Sequence, residues 1–307
     1  MDKQNQTIVG IGACVMDTLI RVSTYPQEDT KMQALGSKAS GGGPVATGLV
    51  AAGKLGVKAS YIGVLAEDAS GNFLKQDFEK YGVGTSYIRT KSGFRSFTST
   101  ILLSQDSKSR TCVFDRGDLP ALTLDAEQKQ AISDAKLLMV DGNELQAAVE
   151  AANIARQHGV PVLYDAGGLY KGVESLLALT DYLIPSEEFA RKHSGCQTVE
   201  EAAEWLYEKY RPQLVVVTCG KEGGVLYDGA SLVHYPAFAV DAVDTNGAGD
   251  VFHGAFAAGL IKGYRPLECC YYASATSALK CTGIGARESV PDSQSVIGFL
   301  KENGYEL

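Results

Sequence analysis

Asp244-Thr245-Asn246-Gly247-Ala248-Gly249-Asp250 is the run whose residue types and spacing carry the most chemistry. Small residues open an apolar helical pattern, Val251 to Ile261. A helix N-terminus offers unpaired N–H groups and the positive end of the helix dipole, so it is an anion site. Asp250 falls in the first turn. A carboxylate there can serve as a simple cap, but a cap does not need Gly-Ala-Gly before it. An anion hole beside a carboxylate suits phosphoryl transfer. The donors stabilise charge on the moving group while the carboxylate takes a hydroxyl proton.

Two further glycine clusters flank apolar elements. Gly41-Gly42-Gly43-Pro44 precedes a helical pattern, and Pro suits the first helical position. It reads either as a flexible turn or as a ligand seat. Thr218-Cys219-Gly220-Lys221-Glu222-Gly223-Gly224 follows the apolar run Leu214–Thr218. Ligands of open α/β sheets sit outside strand carboxyl ends, although a tight turn into Val225–Tyr227 is the plainer reading. Two lookalikes fail. Gly10-Ile-Gly12-Ala-Cys-Val15 lacks the third glycine of a dinucleotide fingerprint. Gly48 to Leu55 resembles a P-loop but has Leu55 where magnesium needs a hydroxyl, inside a helical pattern. His158, His193, His234 and His253 have no ligand spacing and read as structural.

The elements that must position these residues alternate. Strand-like runs are Thr7–Ile11, Ser60–Val64, Ala135–Val140, Pro161–Tyr164, Asp181–Ile184 and Leu214–Thr218. Helical patterns are Val45–Leu55, Ser70–Tyr81, Leu145–His158, Val199–Tyr210, Gly247–Ile261, Pro266–Lys280 and Asp292–Lys301. Continuous apolar strands covered on both faces predict an α/β fold with a doubly wound, mostly parallel sheet. Two stretches break the rhythm, Thr18–Ser37 and Phe94–Phe114. They predict a small antiparallel lid sheet built from two insertions, with Phe97, Ser99, Ile101 and Leu103 on one face. Neither face is wholly polar, so one would cover a ligand and the other a second copy of the chain, giving a homodimer.

Composition narrows the classes. The chain has 307 residues, of which 45% are hydrophobic and 21% charged, so it can bury a large core. Net charge is −8, which disfavours a nucleic-acid partner. No apolar run is long enough to span a membrane. Met1 to Thr7 is polar and does not read as a signal peptide. Seven cysteines without a C-x-x-C predict reduced thiols and a cytoplasmic protein.

On these motifs the chain resembles the ribokinase/PfkB family of carbohydrate kinases over essentially its whole length. Gly41–Gly56 is similar to the family's first signature, and Asp244–Gly259 to its second. Asp17 after the first strand, Thr218-x-Gly220-x-x-Gly223, and Cys281–Val290 occur in family order. The resemblance implies a single ribokinase-like domain over 1–307 with a β lid from about 15–37 and 94–115. It implies transfer of the ATP γ-phosphoryl to a hydroxyl of a monosaccharide or sugar derivative. Asp250 would be the base, and the Gly247, Ala248 and Gly249 amides the anion hole. Asp17, Gly42, Gly43, Lys31 and Asn143 would hold the sugar; Ser186, Thr218, Gly220 and Gly223 would hold ATP. Mg2+ would assist, and K+ would sit near Asp244.

The chain also departs from the family pattern. Ala46 stands where many ribokinases have Asn. The magnesium-organising Asn-x-x-Glu becomes Ser186-Glu187-Glu188-Phe189, and the fructokinase-like Asp-x-Asn-x-Arg is Asp165-Ala166-Gly167-Gly168. Ribose and fructose are therefore not carried over as substrates. The Gly-Gly-Gly-Pro-Val-Ala-Thr form is closer to a branch that includes sulfofructose kinase. An anionic substrate would need cationic ligands, and Lys31 and Arg116 are the lid candidates. A nucleoside kinase on the same fold and a non-catalytic sugar- or nucleotide-sensing protein are the alternatives.

Overall fold

Each apolar strand alternates its side chains between two cores. Leu137 and Met139 enter one and Leu138 and Val140 the other; Leu214 and Val215 divide in the same way. The computed structural model describes residues 8–307. Thr7, and with it the N-terminal heptapeptide of the leader reading, lies outside the described residues.

In chain order the strands are β1 (Ile8–Ile11), β2 (Val15–Val22), β3 (Gly36–Gly42), β4 (Ala59–Tyr61), β5 (Gly63–Ala66), β6 (Ile88–Lys91), β7 (Thr98–Ser104), β8 (Arg110–Asp115), β9 (Leu137–Asp141), β10 (Val162–Ala166), β11 (Tyr182–Pro185), β12 (Leu214–Thr218), β13 (Gly224–Tyr227) and β14 (Leu232–Tyr235). The helices are α1 (Pro44–Lys54), α2 (Ala69–Lys80), α3 (Ala126–Ser133), α4 (Leu145–Gln157), α5 (Glu174–Leu177), α6 (Glu187–Ser194), α7 (Val199–Tyr210), α8 (Ala248–Lys262), α9 (Pro266–Cys281) and α10 (Ser293–Glu302).

The main sheet runs β14-β13-β12-β11-β10-β9-β1-β4 among the described residues. It is parallel from β4 to β12, and β13 and β14 close it as an antiparallel meander. Helix α4 lies on one face through an alanine stripe, Ala147, Ala148, Ala151, Ala152 and Ala155, all buried. On the other face α1 and α8 cross with their backbones in contact. A Cβ on Gly254 would stand 2.1 Å from the Gly48 carbonyl oxygen, so only glycine permits that crossing.

The second sheet has the order β3-β2-β7-β8. It is mixed rather than antiparallel. β2 pairs with β3 and β7 with β8 antiparallel, but β2 and β7 run parallel. Each is the outgoing strand of its own insertion, running from Asp17 or Ser99 at the base towards the tip at Val22 and Ser104. The alternation on β7 holds for Ser99 and Ile101, both buried, with Thr100 exposed. It breaks at the tip, where Ser104 rather than Leu103 is buried and accepts from the Ser107 N–H.

The expected strand Ser60–Val64 divides. β4 ends at Tyr61, whose hydroxyl donates to the Gly12 carbonyl (2.7 Å), and β5 leaves to pair with β6 in a two-stranded sheet. α3 carries a capping box, Asp125 with Gln128, a legible start signal that apolar periodicity alone passes over. All seven cysteines are free thiols. No helix among the described residues is long and apolar enough to cross a membrane.

Candidate active site

The carboxyl end of β9 organises the floor. Asp141 is buried and accepts from Ala13 N (3.0 Å), Val45 N (3.4 Å), and Asn143 N and Nδ2 (2.9 and 3.1 Å). Helix α1 has no side-chain cap of its own, and its N-cap Gly43 sits at φ 95°, so Asp141 satisfies that helix start from a neighbouring strand. Burial raises the Asp141 carboxyl, and these donors oppose the rise.

Asp17 stands at the base of the lid, buried, with Oδ1 accepting from Ser99 Oγ (2.5 Å). A Cβ on Gly42 would lie 2.0 Å from Asp17 Oδ2, so the glycine strand and this carboxylate are in contact. Burial pushes Asp17 up to about 6, against the pull of Ser99 and Arg287. Arg287 is fully buried. It donates to Asp77 Oδ2 (2.6 Å) and the Gly42 carbonyl (2.8 Å), and lies over the Phe78 ring. The Gly41-Gly42-Gly43 stretch is thus fixed by strand pairing and by Arg287 and is not a flexible turn.

Helix α8 begins at Gly247 (φ 74°) with no side-chain cap. The Ala248 N–H donates to Thr245 O (3.2 Å), while the Gly247 and Gly249 N–H groups meet no acceptor among the described residues. Asp250, partly exposed, sits in this first turn. Burial raises its carboxyl; His253, Arg110, Arg287 and Lys280 pull it back. His253 is buried one turn on, with Nδ1 2.7 Å from Gly249 O and Nε2 2.9 Å from Ile184 O, and with Asp165 Oδ2 at 3.3 Å. Burial raises Asp165 to about 7. His253 therefore ties α8 to the strand ends, consistent with its structural reading.

A cavity of about 460 Å3 opens between the β12–β13 turn and the start of α8. Thr218, Gly220 and Gly223 line one wall, and Thr245, Ala248 and Gly249 the other. Three of the expected nucleotide residues thus share one space with Ala248 and Gly249 of the expected anion hole, whereas Gly247 and Ser186 do not line it. Ser186 lies beside it, bridged to Thr218, but its Oγ accepts from Phe189 N (3.2 Å) as the cap of α6. Glu187 and Glu188 pair with Arg191 and Lys192 one turn along α6, at its surface.

The lid brings two guanidinium groups to the site. Arg110 Nη1 donates to Asn246 Oδ1 (3.2 Å), and its charge acts on Asp250. Arg116 reaches Asn143 Oδ1 (3.4 Å) and lies over the Phe97 and Phe114 rings. Neither pairs with a carboxylate among the described residues. Lys31 is exposed in the turn between β2 and β3, and no hydrogen bond or ion pair ties it to a site residue. The nearby lysine that does make contact is Lys38, paired with Glu288 (2.8 Å).

Asp244, the expected monovalent-cation ligand, is buried with both carboxylate oxygens engaged. Oδ1 accepts from Asn246 N (2.8 Å) and Oδ2 from Gly285 N (2.9 Å). Its carbonyl accepts from Lys280 Nζ (2.7 Å), a lysine with no exposed surface.

Sequence reasoning did not reach Asp141, Arg287, Lys280, Ser99 or Arg110. Ser99 was legible as an inward-facing position of β7. The others depend on contacts across 36 to 245 positions, for which local pattern carries no signal.

A family model described as pfkB family carbohydrate kinase matches residues 5–293. A ribokinase of Haemophilus influenzae is 26% identical over 303 residues, covering 96% of this chain and 99% of that one. An ATP-dependent ribose-1-phosphate kinase of Halopiger xanaduensis is 27% identical over 297 residues, covering 96% and 98%. Among solved structures, Arabidopsis thaliana ribokinase complexed with ribose and ATP superposes with a TM-score of 0.86 over 97% of this chain and 99% of that one. At 24% identity that likeness establishes the shared fold.

Proposed function

The chain belongs to the pfkB family of carbohydrate kinases, and from that premise we propose that it transfers the γ-phosphoryl of ATP to a sugar hydroxyl with Asp250 as the base. One observation carries the reading: a single cavity joins Thr218, Gly220 and Gly223 to the uncapped start of α8, with Asp250 in its first turn. ATP lies in that cavity with its terminal phosphate at the Gly247–Gly249 amides. The sugar lies across the carboxylate from it, held by Asp17, the Gly42–Gly43 backbone and Asn143, under the lid.

The chemistry follows from position. Asp250 accepts the hydroxyl proton as the oxygen attacks phosphorus, and its raised affinity for a proton suits a base working near neutral pH. The α8 amides are preorganised donors for charge on the transferring group. Arg110 adds positive charge on the same side. Magnesium, when bound with ATP, would offset the negative charge of the phosphates. Potassium, which the family resemblance implies near Asp244, has a rival there in the Lys280 ammonium. Ser186 contributes as the α6 cap beside Thr218, and Lys31 lends the lid an exposed positive charge.

A second reading concerns the acceptor. Arg110 and Arg116 face the site without carboxylate partners among the described residues, and such groups are costly to leave unmatched under a closing lid. They favour an acceptor sugar that itself bears an anionic group. The lid also presents β8 as an open edge, with Val113 66% and Phe114 58% exposed. Pairing of that edge with a second copy gives a homodimer.

The test is ATP consumption with product mass over ketoses, aldoses, sugar phosphates, sugar sulfonates and nucleosides. The reading expects turnover on a sugar, fastest on an anionic one. Turnover only on nucleosides would replace it with the nucleoside-kinase alternative. Ligand binding without turnover on any member would replace it with a sensor.

A further inference from the structure

Lys280 is among the largest side chains with no exposed surface, and burying an ammonium is expensive unless it meets negative charge. It ends helix α9 one position before Cys281, whose carbonyl accepts from Val243 N (2.8 Å) and Asp244 N (3.1 Å). Its Nζ donates to the Asp244 carbonyl at 2.7 Å. One turn earlier on the same face, Ser277 Oγ donates to the Ala248 carbonyl (2.7 Å). Helix α9 thus grips both ends of the segment that delivers the anion hole, and does so with a buried lysine.

A potassium ion at this loop would need oxygen ligands that are not already engaged. The Asp244 carboxylate already closes the loop through the Asn246 and Gly285 amides and already faces Lys280. Glu288, the next carboxylate along, is neutralised by Lys38 at 2.8 Å. Asp250 is reserved for the hydroxyl proton. A second cation beside the Lys280 ammonium would meet like-charge repulsion, and the Asp244 carbonyl and both its carboxylate oxygens already have donors, so the residues present do not fit a potassium ion.

We propose that the ε-ammonium of Lys280 is the resident monovalent cation of this enzyme, holding the Asp244 loop and the start of α8 in place so that no ion from solution is required. Lys280 acts as a positioning residue: it fixes the amides that meet the phosphoryl group and touches neither substrate. The inference rests on the kinase reading for its rate measurements but not for its stability measurement.

The experiment exchanges potassium, sodium and tetramethylammonium chlorides at constant ionic strength, with the full chain and with Lys280→Ala. Melting without substrates is followed first, then steady-state turnover on the accepted sugar. The unmodified protein is expected to melt at one temperature and to turn over within twofold in all three salts. Lys280→Ala is expected to lose at least tenfold in kcat in tetramethylammonium, with the sugar KM little changed. Potassium or ammonium should restore part of that loss, because either can enter the space left by the ammonium. Tenfold potassium stimulation of the unmodified protein, or a potassium-specific rise in its melting temperature, overturns the proposal, and neither result needs a folded variant. A Lys280→Ala protein with full activity in tetramethylammonium, or a loss that neither ion relieves, overturns it as well. Failure of the kinase reading would appear separately, as no turnover on any sugar beside an unchanged melting result.

Discussion

Asp17→Asn should make the empty protein more stable at neutral pH while weakening its hold on sugar. The buried carboxyl is pushed from its ordinary 3.8 to about 6, which corresponds to about 3 kcal/mol at full ionisation. Because the folded value lies above the ordinary one, the ionised form is the one the fold disfavours. Stability from this group is therefore gained as pH falls from about 6 towards 4, and lost as pH rises through the same window. Asparagine keeps the shape and the Ser99 contact without the charge. For a chain of this length 3 kcal/mol is a melting shift of about 4–5 °C. The sugar reverses the balance. Its hydroxyls donate to the carboxylate, and charge-assisted bonds are worth ~1.5–3 kcal/mol each. Thermal melts of both proteins at pH 4 and pH 8 without sugar, followed by calorimetric titration with the accepted sugar, form the assay. The expected pattern is a variant that melts higher at pH 8 only and binds sugar roughly tenfold or more weakly. In the unmodified enzyme the sugar KM should rise below pH about 6. A melting difference that does not change with pH, or unaltered sugar affinity, would refute the argument.

Asp250→Asn should keep ATP and sugar binding and lose at least ~10²-fold in kcat, the usual scale for a missing general base. Single-turnover rates above half those of the unmodified enzyme would remove Asp250 from that role. Arg287→Met strands the buried Asp77 carboxylate and should cost about 3–5 kcal/mol in denaturant unfolding. Asp77→Leu added to it should recover most of that loss but leave the sugar KM high, since the Gly42 carbonyl still lacks its donor. Equal KM in the double variant and the unmodified protein would show that the arginine does not set the glycine seat. Turnover should cease in excess chelator and return with magnesium, and full activity in chelator would contradict phosphate-held metal. Light scattering at micromolar protein should give twice 32.6 kDa, and Val113→Lys with Phe114→Lys should halve it. A mass near 32.6 kDa in the unmodified protein would leave the β8 edge without a partner.

Continuous apolar runs made β9 through β12 legible, because a strand buried on both faces writes its burial into consecutive residues. The start of α8 was legible because an uncapped helix needs small residues, and Gly-Ala-Gly is an unusual run to open a helix with. The lid was legible as two insertions but not in its pairing, since nothing local tells whether two distant strands meet head to head. Residues that support the site were the least accessible. Asp141 caps a helix 96 positions away, and Arg287 reaches the Gly42 carbonyl across 245. Such contacts are set by the meeting of whole elements. A charge in a turn, such as Lys31, has no pattern to anchor it, whereas Lys38 on β3 is held in register opposite Leu19.

The backbone crossing at Gly48 and Gly254 bears on how such an enzyme can diverge. The inner wall of the site leaves no spare volume. A methyl group at Gly12 would strike Asp141, at Gly41 Arg287, at Gly42 Asp17, and at Gly254 the α1 backbone. New substrate preferences cannot arise by editing that wall, because the smallest possible change displaces a carboxylate, a buried guanidinium or a helix. They must come through the lid, where every β8 side chain is exposed and Thr98, Thr100, Leu102 and Leu103 of β7 are at least partly so, while Ser99, Ile101 and Ser104 stay buried. Drift in acceptor choice is thereby confined to the exposed positions of the lid, with the exception of Arg110, whose charge acts on Asp250.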